Sequence, residues 1–217
     1  MFSRSAFWSS ALIVILFASS ASASVLRIGI GGDELSRSGR WINEEALVLT
    51  FDDSFGPNLV RLTIDFDGGT GVDLAAFVDD LVFNVDDSLT IDSFNFLSGL
   101  SDVEASVIDY VANDTDLPPE EGFDIKFAFG NSNQDRFNVG ETSVYELVGT
   151  GLTASSFNFT NDDGIVAYTH INAYENGDSG KFEGSVTHAP NAPVPEPGAS
   201  LIWISLLGMA GAFRKRR

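Results

Sequence analysis

The chain has no cysteine among its 217 residues, which excludes disulfide staples, thiolate catalysis and cysteine-ligated zinc together. Histidine is scarce: only His170 and His188 are present, and a ligand or base role would need a second imidazole or a poised carboxylate beside either. Basic residues are few, 12 against 31 acidic ones, for a formal net charge of -19. Arg4 lies near the start and four more cations form the last four positions. Seven therefore remain to set against all 31 acids, and the body carries about -24. Nucleic-acid affinity comes mainly from Lys and Arg displacing counterions, so a body this acidic excludes a nucleic-acid partner. Such charge suits solubility, screening by divalent cations, or a hydrated polymer matrix. Hydrophobic residues are not lacking. They make up 44% of the chain and include 18 Phe, which argues for a packed body rather than an acidic disordered tail. A domain of about 170 residues buries roughly two thirds of its unfolded surface and needs no staple.

The two ends read as targeting segments. Residues 1–23 have the form of a secretory leader: Arg4 supplies the positive start, residues 11–18 (ALIVILFA) an apolar run, and Ala21-Ser22-Ala23 a small-x-small cleavage site. Cleavage between Ala23 and Ser24 is expected, after passage through the Sec translocon. Residues 190–198 (PNAPVPEPG) form a proline-rich linker, non-helical because each proline lacks an N–H and restrains its predecessor. Residues 199–213 carry no charge and close on Arg214, Lys215, Arg216 and Arg217. As a helix this run is about 22 Å long. A bilayer core is about 30 Å thick, so the span is marginal, with its four cations on the cytoplasmic side.

Val194, Pro195, Glu196 and Pro197, a short apolar helix and a terminal basic cluster, in that order, resemble the PEP-CTERM sorting signal. That signal marks exported proteins of Gram-negative bacteria that make exopolysaccharide. The resemblance covers only the last two dozen residues. It implies recognition by an exosortase, a transient stay in the inner membrane, cleavage near Pro195-Glu196-Pro197, and release to the cell surface or extracellular matrix. It implies an address and no activity. The stretches 46–85 and 157–186 are also loosely similar to strand-rich bodies that accompany this tail.

Between the ends, strand signals dominate. Val60, Leu62, Ile64 and Phe66 alternate with Arg61, Thr63 and Asp65, and Phe123, Ile125, Phe127 and Phe129 repeat the period of two. Leu81, Phe83 and Val85 do the same, as do Leu89 and Ile91, after which a one-residue slip before Phe94 and Phe96 predicts a bulge. Residues 46–51 and 164–172 are further strands, and only 72–78 reads as a short helix. Turn signals stand at Asp67-Gly68-Gly69, residues 84–88, Asp162-Asp163-Gly164 and Asn176-Gly177, and 114–122 reads as a long loop. The expected fold is all-β, an antiparallel β-sandwich of jelly-roll or immunoglobulin-like form over 24–189, followed by a short C-terminal transmembrane helix.

Several motifs invite chemistry. Gly177-Asp178-Ser179-Gly180 matches the segment around the nucleophile of chymotrypsin-like proteases. Both histidines lie nine residues from Ser179, and Lys181 replaces an expected glycine, so a hairpin turn is the better reading. Gly68-Gly69-Thr70-Gly71-Val72-Asp73 fits one copy of a calcium-binding nonapeptide, with Asp65, Asp67 and Asp73 as oxygen donors. One copy completes no coordination sphere, and a glycine-rich turn competes with calcium here. Acidic doublets recur throughout, but adjacent strand residues point to opposite faces. The expected function is a non-enzymatic surface or matrix protein without a required cofactor, associated with exopolysaccharide. A carbohydrate-binding module is the alternative, with Trp41, Tyr110, Tyr145, Tyr168 and Tyr174 as exposed aromatics, and a carboxylate-dependent glycan hydrolase is a further one.

Overall fold

A computed structural model describes residues 23–35, 40–99, 122–130, 136–175 and 177–189. Most of the expected leader, the 114–122 loop up to residue 121, the proline-rich linker, the apolar 199–213 segment and the basic cluster lie outside the described residues. Among the described residues, no helix is long and apolar enough to cross a membrane.

The described chain is antiparallel β. Ten strands follow in order: β1 (Val25–Asp33), β2 (Trp41–Asp52), β3 (Leu59–Phe66), β4 (Phe77–Phe83), β5 (Ser93–Gly99), β6 (Ile125–Ala128), β7 (Phe137–Asn138), β8 (Glu141–Val148), β9 (Ala167–Glu175) and β10 (Asp178–His188). They form one hydrogen-bonded sheet in the order β5-β8-β3-β2-β1-β10-β9-β4-β6, with β7 added beside β4. The ladder runs unbroken through β1 and β10, whereas the expected sandwich would divide the strands between two sheets.

The sheet curls, and its interior is aromatic. Phe51 of β2 stacks on Phe157 at 4.3 Å between ring centroids and meets Phe83 of β4 edge-on at 5.3 Å. Tyr145 of β8 meets Phe127 of β6 at 5.0 Å, and Phe94 of β5 meets the same ring at 6.1 Å. The limb β5-β8-β3-β2 therefore faces the limb β4-β6 across one core. The period of two read in residues 60–66 survives as alternate burial, with Val60, Leu62, Ile64 and Phe66 fully enclosed. Strand β4 is covered on both sides. Leu81 and Phe83 enter the main core, while Val82 packs with Phe123 and Tyr168 in a small outer cluster.

Two local expectations need correction. Residues 72–78 form no helix: a single turn closes from the Ala76 N–H to the Asp73 carbonyl, and Phe77 then pairs with Asn172 and Asn138 as strand. Sheet pairing outweighs the helix propensity of Leu74, Ala75 and Ala76. The bulge is not between Ile91 and Phe94, because Leu89 and Ile91 precede the strand; the register slips between Phe96 and Ser98. Periodicity in the sequence also missed a helical turn, a 3-10 turn at Ala154–Phe157 that sends Phe157 into the core.

Candidate functional site

The protease-like motif is a hairpin. Strands β9 and β10 pair antiparallel, with Asp178 opposite Glu175 and Gly177 at φ +80°. The Ser179 hydroxyl donates to Asn172 Oδ1 at 2.6 Å. His170 stands beside Asp79, 3.4 Å from Nδ1 to Oδ2, and pairs in register with Lys181. The carboxylate partner asked of His170 is thus present, but Ser179 is engaged elsewhere.

The glycine-rich loop packs against the start of β2. Thr70 accepts from the Asn43 N–H at 2.9 Å, and the Asp73 N–H donates to the Tyr174 carbonyl at 2.6 Å. A side chain at Gly71 would come within 2.6 Å of the Trp41 carbonyl, and its φ of +87° suits glycine. Asp65 lies on β3 and accepts from the Thr142 hydroxyl at 2.8 Å, while the Asp67 carbonyl accepts from the Gly69 N–H. Among the described residues, no three acidic or histidine side chains converge to hold a metal ion, so Asp65, Asp67 and Asp73 form no ready-made set.

The aromatic residues sort differently from expectation. Tyr145, Tyr168 and Tyr174 are buried, which corrects their assignment to an exposed sugar platform; Trp41 is exposed, and Tyr110 lies outside the described residues. Burial pushes the Tyr145 hydroxyl up to about 12. The Tyr174 hydroxyl is likewise raised, first by burial and then by its bond to Glu34, so it stays protonated at neutral pH. It donates to buried Glu34 Oε2 at 2.6 Å and accepts from Arg40, which also pairs with Asp178. This network ties the β1–β2 connection to the β9–β10 hairpin. It is a clamp between turns.

The opposite end of the sheet has a different character. The connections after β4, β8 and the 3-10 turn gather there around Phe159, a ring left 42% exposed. On one side lies a depression of about 480 Å³ edged by Asp86, Thr153, Ser155 and Asn158. On the other lies a smaller one of about 130 Å³, edged by Asn84, Asp124, Thr160 and Asn161. Phe159 borders both. Asn84 and Asn161 are 3% and 7% exposed. Their carbonyl oxygens are committed: Asn84 Oδ1 accepts from the Asp124 N–H, and Asn161 Oδ1 accepts from the N–H groups of Asp163 and Ile165. Those bonds fix which way each amide faces. The two Nδ2 groups that remain have no hydrogen-bond partner among the described residues. Asp124, 5% exposed, accepts from the Val85 N–H at 3.0 Å. Sequence reasoning missed this site, since its asparagines come from segments 77 residues apart and match no motif. Comparison of the chain with family models, curated proteins and solved structures gives no match in any of the three.

Proposed function

We propose that the chain is an exported cell-surface or extracellular-matrix protein, trimmed at both ends and associated with exopolysaccharide without catalysing a reaction. One observation carries the export reading at the N-terminal end. The backbone nitrogen of Ser24 lies 2.6 Å from Asp53 Oδ1, and its hydroxyl donates to Asp53 Oδ2 at 2.6 Å. In a chain cut after Ala23 that nitrogen is an α-ammonium, and the same contact becomes a charge-assisted hydrogen bond. Asp53 Oδ2 also accepts from the Ala154 N–H at 3.0 Å, so the new terminus is tied to the 3-10 turn under Phe157.

The strand limits support the same reading. Strand β1 begins at Val25, one residue past the expected cut, and β10 ends at His188, just before the linker. Arg27 and His188 are register partners, so the first and last strands, which lead to the two expected processing points, lie side by side. The finer architecture we read as a sandwich of jelly-roll or immunoglobulin-like type, its two limbs bridged by β1 and β10. In this reading the exosortase removes the Pro195-Glu196-Pro197 tail with its basic cluster. The acidic exterior then hydrates the polymer and bridges it through divalent cations.

Mass spectrometry of the protein recovered from cell-surface material tests the processing. The expected product starts at Ser24 and ends near Pro195-Glu196-Pro197. A product that retains Trp203 and the final arginines, or residues before Ser24, overturns the proposal. A second reading, carbohydrate binding at a defined site, is favoured by the unpartnered amides beside Phe159.

A further inference from the structure

We infer that the depression between Asn84, Asn161 and Phe159 binds a neutral saccharide. The inference deepens the exopolysaccharide reading and rests on it for the source of the sugar.

The ligand class follows from the chemistry of the walls. Two buried amide groups carry N–H donors that nothing among the described residues uses, although an unmet buried donor costs free energy and is normally satisfied. The acceptor that meets them therefore comes from outside the described residues. An anion is the wrong acceptor, because Asp87, Asp124 and Asp162 edge the same depression and no Lys or Arg does. A metal ion is the wrong guest too: amide hydrogens repel it, and the carboxylates among the described residues form no ligand set. A hydroxyl group meets both demands, since it accepts from an amide N–H and donates to a carboxylate. Both amide nitrogens are enclosed in the free protein, so hydroxyls on a sugar ring meet them, together with Asp124, only as the side chains around them shift.

Phe159 supplies the apolar component. Its exposed ring borders both depressions, where the C–H face of a sugar can rest while the next unit reaches toward Thr153 and Ser155. The walls are too polar for a drug-like apolar ligand and suit a hydrated, polyhydroxylated one. Ordered water is a competing occupant.

The test is a calorimetric titration of the protein as purified from the exporting cell. The probes are neutral oligosaccharides of glucose, galactose and mannose, with oligogalacturonate as the acidic comparison. At least one neutral oligosaccharide is expected to bind. Asn161→Asp keeps the acceptor oxygen for Asp163 and Ile165 but removes the donor, and Phe159→Ala removes an exposed ring; each should weaken binding about tenfold. Phe159→Ala should leave the melting temperature unchanged, which separates lost binding from lost folding. No binding of any neutral probe at about 10 mM, where even a millimolar complex would be mostly formed, leaves water as the occupant and overturns the inference. Equal binding by wild type and both variants overturns the site, and preference for oligogalacturonate overturns the neutral class. Cell fractionation of the same strains reads the address separately. Surface location without sugar binding would sink the site and leave the export proposal standing.

Discussion

Tyrosine shows how far a single residue can be read. Its ring and hydroxyl suit both a sugar platform and a core, and the sequence reading set positions 145, 168 and 174 on an exposed platform. Enclosure decides it. Tyr145 is buried against Phe96 and Phe127, and Tyr174 against Phe182. A consequence appears in alkali. The unfolded phenol titrates near 10, while the Tyr145 hydroxyl in the fold is pushed up to about 12. Below about 10 both states keep the proton and stability does not change. Between these values the unfolded state binds fewer protons than the native one, so stability falls as pH rises, by roughly 2–3 kcal/mol across the interval. Melting temperature measured against pH should therefore decline above about pH 10. In Tyr145→Phe the decline should be shallower, with the part due to Tyr174 remaining. An unchanged slope would mean that Tyr145 is not enclosed.

Elements were legible where one face is buried and the other wet. Residues 60–66 and 125–128 announce themselves through the period of two, because each strand has a core side and an outer side. The reading was incomplete where both sides are covered and failed where no period exists. In strand β4 the alternation of Leu81 and Phe83 was legible, but Val82 is hidden as well, and the strand's entry from residue 72 passed for a helix. The glycine-rich loop belongs to this scale. Its glycines fit a calcium nonapeptide in sequence, but in the fold Gly71 makes room for the Trp41 carbonyl. Gly71→Ala should cost about 1–3 kcal/mol in thermal or denaturant unfolding, by the same amount with and without calcium. A loss that calcium abolishes or enlarges would give the loop back to the cation.

For the whole molecule, charge and curvature matter most. An excess of about 24 negative charges on the body favours solubility and opposes compaction through self-repulsion. Added sodium chloride should therefore raise the melting temperature by a few degrees as repulsion is screened. If the exterior bridges polymer through divalent cations, millimolar calcium should raise it further than sodium chloride of equal ionic strength. No shift at millimolar calcium removes the bridging role. Curvature places the β4-β6 limb over β2 and β8, and it gathers the connections around residues 84–92, 122–124 and 149–166 at one end. That gathering creates the amide-lined depression, and no local pattern could have indicated it.

By itself the sequence determined the all-β class, the strand faces, the acidic character of the body and the expectation of an export address at both ends. These depend on composition and on side chains spaced within one segment. Only the tertiary structure decided which tyrosines are core, that the glycine-rich loop packs on β2, and that Asn84, Asn161, Asp124 and Phe159 share a depression. Those outcomes depend on contacts between residues far apart in the chain, fixed by how a long antiparallel ladder closes on itself.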